Sequence, residues 1–286
     1  MKKILIAATV ILGLGSFAAY AQDQPISKTK KERKMENRQK AIRLLKAIET
    51  GDSGPVGYIN PDKYIQHNLG AADGLAGFGA LMKTLPPNSA KVNTIRAFQD
   101  GDFVFTHTEY DFFGPKIGFD IFRFEGGKIV EHWDNLQTTA KPNPSGHTMI
   151  DGATEIKDLD KTEANKALVR DFVESILVQG KMEKLAGYFD GDNYIQHNPN
   201  IPDKLSGLGA TLEALAKQGI FLKYDKIHKV LGEGNFVLVV SEGHFGKEYN
   251  AFYDLFRVEN GKIAEHWDVI EPIPAKEEWK NNNGKF

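Results

Sequence analysis

The sequence predicts an α+β chain in which one helix-then-strand domain occurs twice. Three observations carry this expectation: an internal repeat, helix-periodic apolar residues at the front of each copy, and strand-like runs behind them. Tyr64-Ile65-Gln66-His67-Asn68 returns as Tyr194-Ile195-Gln196-His197-Asn198. Residues 120–134 read DIFRFEGGKIVEHWD and residues 254–268 read DLFRVENGKIAEHWD, with 11 of 15 positions identical. Gly74-Leu75 matches Gly207-Leu208, and Phe103-Val104 matches Phe236-Val237, in the same order between those blocks. A unit of roughly 110–130 residues is a duplicated domain, since solenoid repeats run to about 20–50 residues.

The elements follow in order. Ile42, Leu45 and Ile48 take helical spacing before Gly51; in the second copy Ala164, Leu168, Phe172, Val173, Ile176 and Leu177 do so, with Thr162 as candidate cap and Gly180 as stop. A short helix is expected before each Tyr-Ile-Gln-His-Asn, and a further one over 75–85 and 208–218. Strands are expected at 92–99, 103–110, 117–124 and 128–137, and at 224–231, 236–243, 249–258 and 262–270. Loops such as Asp100-Gly101-Asp102 and Glu259-Asn260-Gly261 separate them. Residues 142–160 carry Pro, Asn, Ser, Gly and Asp without an apolar period and read as a linker.

The N-terminus carries an address. Met1-Lys2-Lys3, an apolar run from Ile4 to Phe17 and the small-residue pattern Ala19-Tyr20-Ala21 fit a secretory signal peptide, with Gln22 as the mature start. The apolar run is short for a membrane span. The chain then divides into a leader at 1–21, an N-terminal extension at 22–34, a first domain at 35–141, a linker at 142–160, a second domain at 161–275 and a tail at 276–286. The expected location is the periplasm or the exterior, with no membrane attachment after cleavage.

Composition narrows the chemistry. With 36 Lys+Arg against 38 Asp+Glu, the chain has no basic field for nucleic acid. Zero cysteines exclude disulfides, thiolate metal sites and a thiol nucleophile. No G-x-S-x-G elbow, phosphate loop or dinucleotide fingerprint is present, so no cofactor is expected. Histidines and carboxylates at several positions could hold a divalent ion, but no H-x-x-x-H spacing on a helix is present, so no metal is expected and a metal site is the weaker alternative. Aspartate and histidine chemistry remains.

Those residues concentrate in the last hairpin of each copy. Its loop is Glu125-Gly126-Gly127 in one and Glu259-Asn260-Gly261 in the other. A two-residue turn would pair Asp120 with Trp133; a three-residue turn, the favoured geometry, pairs Asp120 with His132 and Asp254 with His266. The second places Asp120, Phe122, Val130, His132 and Asp134 on one face and Arg123 with Glu131, diagonally, on the other. Buried charges cost several kcal/mol unless paired. Two readings stand: a mutually satisfied Asp–His pair in a core, or a pocket in which the pair moves a substrate proton. His107, in phase with Phe103 and Phe105, extends the set in the first copy; Val240 stands at its place in the second. His67 and His197 are either turn residues or groups at a pocket mouth. Trp133 and Trp267 read as packing residues, and His147 and His228, unmatched between copies, as surface or linker residues.

The motif pair Tyr-Ile-Gln-His-Asn and D-[IL]-F-R-x-E-x-G-K-I-x-E-H-W-D resembles the SnoaL-like branch of the nuclear transport factor 2-like superfamily, over about residues 35–140 and 160–272. The resemblance implies two cone-shaped domains, each a curved antiparallel sheet wrapped by N-terminal helices around an apolar cavity. It implies cofactor-free acid/base chemistry, as in polyketide cyclases, ketosteroid isomerase and limonene epoxide hydrolase. His132 and Asp134, or His266 and Asp268, fall where that branch's polar pocket residues tend to lie, and Asp120 and Asp254 belong to the same motif. Family members often dimerise through the sheet, which implies a pseudo-dimer within the chain or a homodimer. The leading expectation is an acid/base enzyme of aldol/cyclase, isomerase or hydrolase type acting on a small apolar carbonyl compound. In it Asp120 or Asp134 is the base, His132 orients it or stabilises an oxyanion, and His107 and His67 gate or polarise the substrate. The alternatives are a non-catalytic binder of a hydrophobic small molecule and a structural protein. The loss of the His107 equivalent points to those alternatives for the second copy.

Overall fold

The computed structural model describes residues 30–85 and 89–286; the expected leader and its cleavage point lie outside them. The first half runs α1 (Lys30–Thr50), a 3-10 turn at Gly54–Tyr58, β1 (Ile65–Gln66), α2 (Gly74–Thr84), β2 (Lys91–Asp100), β3 (Phe103–Asp111), β4 (Pro115–Glu125) and β5 (Lys128–Thr138). The second repeats this order. It runs α3 (Thr162–Phe172), prolonged by a π-helical segment Val173–Val178, a 3-10 turn at Met182–Tyr188, β6 (Ile195–Gln196) and α4 (Leu205–Lys217). Strands β7 (Leu222–Glu233), β8 (Phe236–Phe245), β9 (Glu248–Glu259) and β10 (Lys262–Pro272) follow. The strand orders are β1-β5-β4-β3-β2 and β6-β10-β9-β8-β7, two open five-stranded sheets of the same topology. Thr162 is not a side-chain cap: its hydroxyl donates to the Leu159 carbonyl. The expected loop Tyr-Ile-Gln-His-Asn instead contributes a two-residue strand, β1 or β6, parallel to β5 or β10.

Strand alternation gives each sheet two apolar faces. One face of the first sheet packs Val104, Tyr110, Phe122, Phe124 and Ile129 under Ala41, Leu44 and Leu45 of α1. Its counterpart packs Val237, Val239, Phe252, Phe256 and Ile263 under Val169, Phe172, Val173 and Ile176. The opposite faces meet each other, with Phe98, Phe105, Phe119 and Trp133 against Phe236, Leu238, Tyr253 and Trp267. Both faces of both sheets are therefore withdrawn from water.

The hairpin differs from the expected three-residue turn. Glu125 pairs with Lys128 and Glu259 with Lys262, leaving two-residue turns. Both central residues are left-handed, at φ 54° and 77° for Gly126 and Gly127 and 51° and 73° for Asn260 and Gly261, which suits the strand twist. A bulge at Val130, matched at Ala264, then shifts the register so that Asp120 faces Asp134 and Phe122 faces His132. Arg123 and Glu131 lie directly opposite, not diagonally. Beyond the bulge the register differs from the expected one by two residues, so Glu131 to Thr138 keep their expected faces, while Lys128 and Ile129, between turn and bulge, change sides and Ile129 joins Phe122 and Phe124 under α1.

The contacts between halves are exchanged as in a two-fold pair. Gln137 Oε1 accepts from Ile270 N at 2.9 Å, while Glu271 Oε2 accepts from Leu136 N at 3.4 Å. Asp100 accepts from Gly232 N at 3.0 Å and pairs with Lys166, while Glu233 accepts from Gln99 N at 2.7 Å and pairs with Arg38. Arg96 lies 4.3 Å over the Trp267 ring, and Lys229 Nζ 4.1 Å over Trp133.

The two cations are not equally anchored. Arg96, 3% exposed, also donates to the Ala153, Ile150 and Asp151 carbonyls at 2.7, 2.9 and 2.6 Å. Arg96→Ala strands three linker carbonyls and is expected to cost about 3 kcal/mol. Lys229→Ala loses mainly its ring contact and is expected to cost about 1 kcal/mol. Urea unfolding midpoints of the two variants check the ranking.

Candidate functional site

In the second half the β6 segment, β7, β9 and β10 each bring polar side chains to the helix-covered face of the sheet. Tyr194, Gln196 and Asn198 alternate inward along the β6 segment. Gln196 is held in one orientation, its Oε1 accepting from Asn198 N at 2.9 Å and its Nε2 donating to Tyr194 Oη at 3.1 Å. His266 Nδ1, 3.0 Å from that oxygen, therefore donates to it. Nε2 then shares a proton with Asp254 Oδ1 at 3.0 Å. Tyr224 Oη donates to the same carboxylate at 3.0 Å. Asn198 Nδ2 donates to Asp268 Oδ2 at 2.7 Å, and Asp268 Oδ1 has no protein hydrogen-bond partner although it is buried.

These groups line a cavity of about 810 Å³ whose walls include Phe172, Ile176, Leu212, Leu215, Phe256 and Ile270. Burial, the largest influence, raises the Asp268 carboxyl pKa, and the Asp254 charge adds to it; His266 and the Asn198 bond offset only part. Burial opposes charge on His266, but its bond to Asp254 and the charges of Asp268 and Asp254 prevail and raise its pKa. The Tyr194 phenol is pushed well up by burial and by both aspartates, so it stays protonated and its O–H remains a donor.

The first half repeats the constellation. His132 Nδ1 lies 3.0 Å from Gln66 Oε1 and Nε2 3.1 Å from Asp120 Oδ1, and Asn68 Nδ2 donates to Asp134 Oδ2 at 2.6 Å. Tyr110 donates to Asp120. Its cavity is only about 210 Å³ among the described residues, and Lys285 Nζ stands 4.0 Å from Asp134 Oδ1. The two tyrosines are not sequence equivalents. Tyr110 of β3 pairs with Val92, whereas Tyr224 of β7 pairs with Gly243 of β8, so the phenol has changed strand within one cross-strand pair. The pattern of the repeat conceals this, and sequence comparison missed both.

Six expected site residues converge as two triads: Asp120, His132 and Asp134, and Asp254, His266 and Asp268. The other three stand elsewhere. His107 is fully buried between the two halves, stacked on Phe119 at 4.3 Å and 3.3 Å from Arg96 Nη1. It belongs to the odd-numbered face of β3, with Phe105, so it reaches neither cavity; burial and then Arg96 push its pKa well down. His67 stacks on Trp133 at 4.7 Å and binds Glu131 Oε1 at 2.9 Å; His197 stacks on Trp267 at 4.6 Å and binds Glu265 Oε1 at 2.9 Å. Both point away from the cavities because β1 and β6 are strands: Tyr, Gln and Asn face in, Ile and His face out. Period-two alternation in Tyr-x-Gln-x-Asn was the available signal. Any cation would find three groups of convergent donors among the described residues: the two triads, and His147 with Asp151 and His197.

Residues 169–266 match the family model described as SnoaL-like domain. None of the curated proteins compared matches the chain. Among solved structures, TsrD from Streptomyces laurentii is 18% identical, covers 36% of this chain and 89% of its own, with a TM-score of 0.32. An LEH-like epoxide hydrolase of M. tuberculosis is 17% identical over 36% of this chain and 84% of its own, at 0.32. An NTF-2 like protein from Burkholderia xenovorans LB400 is 19% identical over 39% and 91%, at 0.35.

Because the folded-state pKa of His266 is raised, its proton stabilises the fold fully below the unfolded value of about 6.5 and that contribution fades as pH rises through the folded value. The stability gap between wild type and His266→Gln is expected to be largest near about pH 6 and to shrink by about pH 9. Denaturation midpoints across that range check it; a gap that does not change with pH would mean a neutral imidazole in the fold.

Proposed function

We propose that this chain, which carries a SnoaL-like domain at residues 169–266, is an exported, cofactor-independent acid/base enzyme whose working pocket is that of the second half. The observation that carries this reading is Asp268: a buried carboxylate, one oxygen fixed by Asn198 and the other unpartnered, on the wall of a largely apolar cavity of about 810 Å³. That volume lies inside the range of about 300–1,000 Å³ usual for small-molecule sites. A desolvated carboxylate with a raised pKa is a stronger base than one in water.

The substrate class is a small apolar carbonyl compound. Asp268 takes a proton from the carbon next to the carbonyl, and the electron pair of that C–H bond moves onto the carbonyl oxygen. Tyr194 O–H donates a hydrogen bond to that oxygen as charge develops. Returning the proton from Asp268 to carbon completes an isomerisation. Where a second carbonyl is within reach, the enolate carbon bonds to it instead, its C=O π electrons move to oxygen and that oxygen takes the Asp268 proton; both outcomes are redox-neutral. Both ring nitrogens of His266 are engaged, so this residue holds Asp254 and Gln196 in place. Support for one working pocket comes from the contrast with the first half, where the cavity is about 210 Å³ and Lys285 approaches the equivalent oxygen of Asp134.

Proton exchange into simple apolar ketones, followed by NMR in D₂O, tests the reading. Asp268→Asn is expected to lower the exchange rate at least about 100-fold and Tyr194→Phe about 10-fold, while Asp134→Asn changes it less than about twofold. Equal rates in all three would sink the assignment. Export is tested separately by the mass of the mature chain, expected to begin at Gln22.

A further inference from the structure

The linker carries a cluster outside both cavities. His147 Nδ1 lies 3.4 Å from Asp151 Oδ2, and His197 Nδ1 lies 2.7 Å from Asp151 Oδ1. The two imidazole rings are 5.1 Å apart, and one donor atom from each of the three residues falls within 4.8 Å of the others. A second feature is independent of that proximity. The other ring nitrogen of each histidine faces a carboxylate: His147 Nε2 is 3.3 Å from Asp203 Oδ2, and His197 Nε2 is 2.9 Å from Glu265 Oε1. Glu265 is itself held by Arg257 at 2.6 Å. Metal-ligating histidines are oriented in this way, with the distal N–H donated to a carboxylate that fixes the ring and raises its basicity.

We propose that His147, Asp151 and His197 form a zinc site that clips the linker to the second half. Two imidazoles and a carboxylate suit a borderline divalent ion, and tetrahedral zinc sets its ligands about 3.3 Å apart. Small movements of His147 and Asp151, whose side chains are 31% and 43% exposed, bring the three donors to that spacing. Their exposure leaves a fourth position to water, while His197, with a fully buried side chain, is the fixed point. Zinc takes the place of the proton that His197 Nδ1 shares with Asp151 and with the Thr148 carbonyl at 2.9 Å. The first half cannot copy this site. His67 Nδ1 binds the Gly284 carbonyl at 2.8 Å, and residues 279–286 contain no histidine or acidic side chain.

Calorimetric titration of ZnCl₂ into the untagged, chelator-stripped full chain tests the proposal. One zinc per chain is expected, with affinity lowered at least about tenfold by His147→Asn and about 10-fold or more by Asp203→Asn, which touches no metal. Thermal melts are expected to rise with zinc in the wild type and not in His147→Asn, whose half-exposed position keeps the apo fold intact. Binding weaker than about 0.1 mM, or binding that His147→Asn leaves unchanged, overturns the site. So does binding that survives His147→Asn and is lost in Asp268→Asn, which would put the ion in the cavity.

Discussion

The packing of two sheets back to back is the constraint on which the remaining architecture rests. Each sheet presents an aromatic face that water would penalise heavily, and each is the other's cover. At its centre each tryptophan carries a stacked histidine from its own half and a cation from the other: His67 and Lys229 on Trp133, His197 and Arg96 on Trp267. The outward histidines of the repeated motif are thus building material for this contact. Their partners, Glu131 and Glu265, are held in turn by Arg123 and Arg257, so a buried charge is compensated at every step.

With the outer faces occupied by each other, the inner faces are free to diverge. The same Gln–His–Asp relay and the same Asn–Asp bond stand in both halves. The surroundings do not match. The second half opens beneath a helix whose last turns relax into π-helical geometry, a feature that recurs at functional sites. The first is narrower and has a lysine from the C-terminal segment near its free carboxylate oxygen.

The linker and the C-terminal segment play matching parts in this arrangement. Asn143 Nδ2 donates to the Gln196 and Ile201 carbonyls, and Asn281 Nδ2 donates to those of Asn68 and Ala71. Thr148 O and Gly284 O each bond the outward histidine of one half. Two irregular segments with no regular ladder of their own therefore satisfy the backbone left open beside β1 and β6, as buried polar groups require.

How much was legible follows from which physics is local. The duplication, the helix-then-meander order, the strand positions and the inward face of Asp120, His132 and Asp134 are all carried by residue period and turn chemistry, which act over a few neighbours. The unexpected turn left the faces of His132 and Asp134 intact, because the bulge at Val130 returned the register to the same parity beyond it. The roles of His67, His107 and His197 were not legible. A strand has two sides, and when both are buried no hydropathy pattern says which one faces a ligand; only the docking of the second sheet decided that. Likewise Tyr110 and Tyr224 reach equivalent aspartates from different strands, a coincidence in space with no trace in the alignment of the repeats. Sequence alone determined the two copies and their polar triads, since these depend on neighbours along the chain. Tertiary structure decided which histidines are buried between the halves and how large each cavity is, since these depend on what packs against each face of each sheet.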